Sequence, residues 1–411
     1  MDARSRAVLL LGVTQIIGYG TLYYSFGVLA GSMAQDLGVA AGWVYGAFSV
    51  ALLFGGLASP RIGRALDRYG AGPVMTAGSV LSACALVFCG LAPERYSFAL
   101  GLVFIEIAAI FVLYEAAFAL LVQTSGPDAG RRITHLTLIA GFASTIFWPL
   151  TSLLVASMSW REVFFVFAAL HLAVCLPAHL YLSRQAASLR RSTPAPAGAE
   201  NSRVETATAE PVLSEKDRSR AFALLLFGFA LTGFVLSAVL VHMIPVLEAL
   251  GLGAMSAFVG AVFGPAQVLS RIVNMGFGRG LHPLRLAILS SALLPVALML
   301  LAFGSSWLAS ALVFSVLFGL GAGLTSIVRG TVPLAVFGAE GFGSRVGAIT
   351  SARLILASIA PFAFALALER LGIVAALAGL CGLGLLSVLT LVEIERMRQR
   401  AYRRTGLSGL S

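Results

Sequence analysis

Charge is what this sequence has least of. Only 11% of its 411 residues are Asp, Glu, Lys or Arg, against about 25% in soluble domains. With 59% hydrophobic residues and a mean hydropathy of +0.94, a soluble chain would expose large apolar patches and aggregate. A soluble globular domain is therefore excluded. Alternation of polar and apolar residues is also lacking, which excludes a membrane β-barrel. Cysteine is scarce: Cys84, Cys89, Cys175 and Cys381 all lie in apolar runs, with neither zinc nor redox spacing. They read as small core residues. There is no Gly-x-x-x-x-Gly-Lys-Ser phosphate loop, no nucleophile–base set and no metal cluster. No enzyme, cofactor, metal or built-in ATPase is expected, so energy must come from an ion or substrate gradient. No small-residue cleavage site follows the first apolar run, which is expected as a membrane helix rather than a removed signal.

Against these absences stands a net charge of +10. A basic chain first suggests nucleic acid. Here the basic residues are spread through the turns between apolar runs and at both termini. That is the positive-inside pattern, and no nucleic-acid partner is expected.

A spanning helix needs about 20 mostly apolar residues. The first half supplies six such runs, near 7–34, 43–62, 74–91, 98–123, 133–158 and 163–182. The second half supplies six more, beginning near Ala221, Ala254, Leu284, Trp307, Val346 and Gly372. The fold class is an all-α membrane protein of 12 transmembrane helices in two pseudo-symmetric six-helix bundles. The expected division is an N-terminal bundle over 1–183, a disordered cytoplasmic linker over 184–219, and a C-terminal bundle with a basic tail over 220–411. Counted from a cytoplasmic N-terminus, Arg95, Arg161 and Arg370 fall outside and Arg271 and Arg353 within runs. Every other Lys and Arg then falls on the cytoplasmic side, which places both termini there. The charged stretch 60–73, PRIGRALDRYGAGP, is expected as a tight turn at the cytoplasmic surface.

The halves resemble each other weakly. Arg132 and Pro149 in the fifth run are matched by Arg345 and Pro361 in the eleventh. Such half-repeats mark transporters whose substrate site lies between the halves near the midplane.

Gly63-Arg64-Ala65-Leu66-Asp67-Arg68-Tyr69-Gly70 resembles the loop between the second and third helices of the major facilitator superfamily. The usual closing basic pair is replaced by Ala71, Gly72 and Pro73, and the degenerate second copy at Gly276 to Arg279 lacks the Asp. Phe26-Gly27-Val28-Leu29, Trp43 and Asp67-Arg68-Tyr69-Gly70 resemble the monocarboxylate and oxalate/formate porter branch. The resemblance implies alternating access across the plasma (inner) membrane by a multi-pass monomer. It also implies a small-molecule substrate, moved with protons or a counter-substrate. It further implies one basic residue on each of the eighth and eleventh helices clamping a carboxylate, a role that falls to Arg271 and Arg353. Asp67 and Arg68 would serve the cytoplasmic gate.

Ionisable residues within spans are costly and usually functional. Glu106 and Glu115 share the fourth helix, nine residues apart, and at about 100° per residue face opposite sides. Glu115 is preferred for proton coupling or gating; the alternative is a structural ion pair. Gln267 and Arg271 share a face four residues apart; alternatively Arg271 snorkels to the surface or pairs with Glu115. Gln15, Tyr19 and Tyr23 form one polar-aromatic stripe, expected to line the cavity, with Tyr24 off it. Trp148 and Pro149 suggest a kink or plain packing, and His242 is a weaker proton candidate. Efflux of a drug or organo-metalloid is the first alternative function, and a non-transporting membrane sensor the second.

Overall fold

The computed structural model describes residues 3–192, 213–304 and 307–404. Among these there is no strand, and eleven helical stretches are long and apolar enough to cross a membrane. One of them, Arg95–Ser157, has 63 residues. At 1.5 Å per residue it would be roughly three bilayer cores long. It is divided by a 3-10 turn at Gly126–Asp128, so it makes two passes, for twelve in all.

We number the passes α1 (Arg6–Asp36), α2 (Ala41–Tyr69) and α3 (Ala71–Gly90). Next come α4, in two pieces (Arg95–Val112 and Tyr114–Ser125), and α5, also in two (Ala129–Ala140 and Ala143–Ser157). Then follow α6 (Trp160–Ser188), α7 (Glu215–Leu252), α8 (Met255–Phe277), α9 (Pro283–Phe303), α10 (Leu308–Phe337), α11 (Phe342–Leu371) and α12 (Ile373–Arg403). Helix continues past α6 to Ser192, and α7 begins at Glu215. The ends of the expected linker 184–219 are thus helical, while its middle lies outside the described residues. The basic tail likewise continues α12 as helix to Arg404.

The stretch 60–73 is not the multi-residue turn its charge suggested. α2 runs through Pro60 to Tyr69, and α3 starts at Ala71. Charge marks where the membrane ends, but Arg and Leu are good helix formers in water as well. The reversal falls on Gly70 alone, at φ 87°, where only glycine is unstrained. Gln123 of α4 braces this corner. Its amide accepts from the Ala71 N–H at 2.9 Å and donates to the Leu66 carbonyl at 3.0 Å. Both are backbone groups left over at helix ends.

Each half has an outer and an inner apolar core. Leu29, Met33, Leu86, Phe98 and Phe167 pack the outer N-terminal half, and Val235, Leu298, Phe314 and Phe318 the outer C-terminal half. The inner N-terminal core differs in kind, because Phe342 and Val346 of α11 enter it beside Leu66, Phe118 and Leu136. Leu52 and Ile62 of α2 likewise pack with Leu354 of α11. These contacts join the two halves on the cytoplasmic side, and the conformation is closed there along α2 and α11.

Lipid offers no hydrophobic drive for helix association, so close packing of small residues must supply it. Gly63 lies against the carbonyl of Gly343, and a Cβ at Gly347 would stand 2.7 Å from the Ser59 carbonyl. Where the seam reaches water, Asp67 caps α11. Its carboxylate accepts from the N–H groups of Gly343 (2.8 Å) and Ser344 (2.7 Å) and from the Ser344 hydroxyl (2.6 Å). The carboxylate also meets the positive end of the α11 dipole.

Gly347→Val should force this seam apart. Overpacking by a few heavy atoms costs roughly 1–3 kcal/mol, so labelling of an Ile62→Cys thiol from the cytoplasmic side should rise about tenfold. Gly379→Val on α12, where a Cβ meets nothing within 4 Å, should leave that rate unchanged.

Candidate functional site

The site is built on two irregular helices. In α4 the residue Leu113 is extended (φ −81°, ψ −162°), which separates the two helical pieces. The break frees the Val112 carbonyl, and Gln15 of α1 donates its side-chain amide to it at 2.7 Å. Gln15 is fully buried there. It braces the break and does not line a cavity, contrary to the stripe read from its spacing. The same break cancels the rotation count between Glu106 and Glu115. Both glutamates lie within electrostatic range of Arg353.

In α1 a π-turn spans Gly20–Tyr24. Its extra residue per turn shifts the register and carries Tyr24 into the aromatic group. Tyr19 and Tyr24 ring centroids are 6.2 Å apart, and Tyr23 and Tyr24 5.4 Å. Tyr114, just after the α4 break, stands 4.6 Å from Tyr19. Trp148 of α5 stands 6.1 Å from Tyr24, and its indole N–H donates to the Tyr24 carbonyl at 3.2 Å. Tyr23 and Trp148 are exposed, by 41% and 49%. They form the outer, accessible part of the group. Phe147 packs directly on Gly20, which leaves no room there for a side chain.

The charges lie inward of these rings. Glu115 begins the inner piece of α4 and is buried. Its Oε1 accepts from the Thr350 hydroxyl of α11 at 2.9 Å and lies 3.9 Å from Arg329 Nη1 of α10. Arg329 also stands over the Tyr114 ring, 5.7 Å from its centroid, with Tyr19 among its near neighbours. Arg329 is the residue that counting charges by side swept to the cytoplasmic end. The signal for it was a single charge well inside the 30-residue run Leu308–Phe337.

Arg353 lies three residues beyond Thr350 on α11, its side chain laid over Gly233 of α7. Its charge neighbours are Arg329, Glu115, Tyr19 and Tyr23. Its Nε is buried with no partner among the described residues, and so is Glu106 Oε1.

The expected pairing of Arg271 with Arg353 takes another form. Arg271 is buried, donates from Nε to the Gly323 carbonyl of α10 at 3.4 Å, and packs its guanidinium on Gly141. Gly141 is where α5 breaks. Arg271 therefore reaches from α8 across the seam to α5, neither snorkelling nor pairing with Glu115. Arg329, not Arg271, is the arginine that shares Arg353's neighbours. Gln267, one turn from Arg271, is half-buried with its backbone against Gly323. Arg68 is exposed, with its guanidinium 5.2 Å from the Tyr69 ring centroid. It points away from the seam that Asp67 holds.

The arginines, glutamates and aromatic rings thus converge between the two halves, closed on the cytoplasmic side by the α2–α11 seam. Multidrug resistance protein MdtL of Citrobacter koseri is 30% identical over 149 residues, covering 35% of this chain and 37% of that protein. The chain thus matches well under half the length of this relative. The human organic anion transporter MFSD10 (TETRAN) superposes with a TM-score of 0.70 at 16% identity, over 95% of this chain and all of that one. The proton:xylose symporter XylE, bound to 6-bromo-6-deoxy-D-glucose, gives a TM-score of 0.70 at 10% identity, over 95% of this chain and 96% of that one. At these identities the likeness is one of fold. The family model of the Major Facilitator Superfamily matches residues 11–361, and the chain, a multi-pass membrane transporter rather than an enzyme, belongs to that superfamily.

Proposed function

We propose that this transporter moves a small, monocarboxylate-like organic anion across the plasma (inner) membrane by alternating access, coupled to protons or to exchange. The observation that carries the reading is Arg353, whose buried Nε has no partner among the described residues while its neighbour Arg329 is engaged by Glu115 and the Tyr114 ring. A guanidinium fork matches a carboxylate in bidentate fashion, and an unsatisfied one in a membrane interior is a seat for an incoming anion. The exposed rings of Tyr23 and Trp148 would form the approach.

Coupling follows from counting charge. Arg329 and Arg353 balance Glu115 and Glu106 when both carboxyls are ionised. A proton on Glu106 leaves the site with a net positive charge, which favours the anion. An unpaired buried carboxylate is costly, so Glu106 suits that proton better than Glu115, which has partners. Glu115 acts as a gate instead. An anion that draws Arg329 toward itself weakens the link from α4 to α10 and α11, and so the cytoplasmic seam.

Efflux of a toxic compound, a drug or organo-metalloid, is the second reading. The wall of four tyrosines and Trp148 and the partial likeness to a multidrug resistance protein support it.

Uptake of a carboxylate panel into proteoliposomes under an imposed pH gradient separates the two. Losing a buried charge pair costs at least about 2 kcal/mol, so Arg353→Ala should reduce carboxylate transport roughly 30-fold or more. Arg353→Lys keeps the charge without the fork and should recover part of it. Undiminished carboxylate transport in Arg353→Ala would overturn the anion reading.

Glu115→Gln keeps a hydrogen-bonding partner for Thr350 but releases Arg329. Tighter apparent anion binding with turnover slowed about tenfold, that is by about 1.4 kcal/mol, is the expected split. Parallel weakening of both would argue against a gating role.

A further inference from the structure

The seam between the halves is closed unevenly. Along α2 and α11 the glycines touch. On the opposite side two cavities flank the start of α5, one of about 500 Å³ between it and α8, α9 and α10, the other of about 490 Å³ between it, α1 and Met275 of α8, each within the range of roughly 300–1,000 Å³ usual for ligand sites. Arg131, His135 and Met275 line both. The crevice lies among the start of α5, the end of α8 and the inner half of α10. In the topology above, all of these belong to the cytoplasmic leaflet.

Its chemistry is two-sided. The walls are mostly apolar, Met275, Leu286 and Ile327 in one cavity and Leu138 and Ile139 in the other, with Thr134, Asn274 and Thr331 among the polar exceptions. The lip is basic. Arg131 is exposed, with no ion pair among the described residues. Arg132 stands 3.9 Å from Asp128, with only 14% of its side chain exposed, and its Nε is buried without a partner. Asp128 is the one acidic residue in either lining. Leu9, Leu281 and Phe277 around the crevice are exposed at 46%, 46% and 87%, as residues that face lipid are.

We propose that an anionic phospholipid of the cytoplasmic leaflet occupies this crevice, its phosphodiester on Arg131 and Arg132 and an acyl chain along Met275, Leu286 and Ile327. A soluble anion has no use for the apolar walls, and a zwitterionic lipid less use for the arginines. Arginines beside an anionic leaflet and basic pockets between membrane helices both attract such head groups. Because α5 and α8 each supply part of the lining, the site exists in full only while their inner ends stay together. Bound lipid therefore favours the state in which these inner ends are together over the one in which they part.

The test uses the full chain in nanodiscs of phosphatidylcholine with and without phosphatidylglycerol, with native mass spectrometry of retained lipid. Wild type should retain phosphatidylglycerol over phosphatidylcholine. Arg131→Gln with Arg132→Gln should lose this preference roughly 30-fold, at about 1 kcal/mol per arginine. Met275→Trp fills the crevice with both charges in place and should lose it too, so the proposal remains testable if the double variant fails to fold. Arg403→Gln on the cytoplasmic tail should change nothing. Retention that survives both crevice variants would overturn the proposal. So would retention that falls equally with Arg403→Gln, or that glycerol phosphate in solution competes away as well as lipid does.

Discussion

A carboxylate inside a membrane protein has to find a cation or a donor, and Glu115 finds both on the other half of the molecule. Its contacts to Thr350 and Arg329 tie α4 to α10 and α11 at the level where the aromatic group ends. Around and inward of that link the halves are packed together along α2 and α11. The glycine contacts between α2 and α11 extend the closure toward the cytoplasm, and Asp67 completes it where the helices meet water. In an apolar solvent these polar links and the close backbone packing carry what hydrophobic burial carries in water.

Much of the architecture was legible in the sequence because one force dominates it. Apolar length and the side on which arginines fall give twelve passes and their direction with little ambiguity. Arg161, one of the few outside, shows why the exceptions are tolerable. It pairs with Asp36 at 3.0 Å, caps the carbonyls of Gly90 and Ala92, and lies over Trp160. The stretch 60–73 reads in sequence as a tight turn at the membrane surface because charge reports the membrane boundary and not the end of a helix. Gly70 alone carries the reversal.

The site was legible only in part, for geometric reasons. Tyr19, Tyr23, Glu115 and Arg353 were singled out by being polar within apolar runs, and the structure groups them. Tyr24 and Gln15 were misassigned because regular helical spacing was applied across a π-turn and next to an extended residue. Neither Gly20–Tyr24 nor Leu113 announces its irregularity in residue type. Arg329 escaped because an arginine was credited to the cytoplasm by default. The two-arginine clamp expected of α8 and α11 drew on resemblance, and the break in α5 at Gly141 that draws Arg271 away has no sequence signature of its own.

The central claim is that, among the described residues, the halves are joined along the inner parts of α2 and α11 in this state and must part there for transport. An added Cβ at Gly56 would stand 3.1 Å from Cβ of Leu354, close to the roughly 3.5–4.5 Å of a disulfide. In a chain with its four native cysteines replaced, Gly56→Cys with Leu354→Cys should therefore cross-link on oxidation without substrate. The account predicts that this locks out transport until a reductant is added, while a separate Tyr23→Cys thiol stays reactive to an impermeant reagent from outside. A cross-linked protein that still transports, or a pair that cannot be cross-linked, would contradict it.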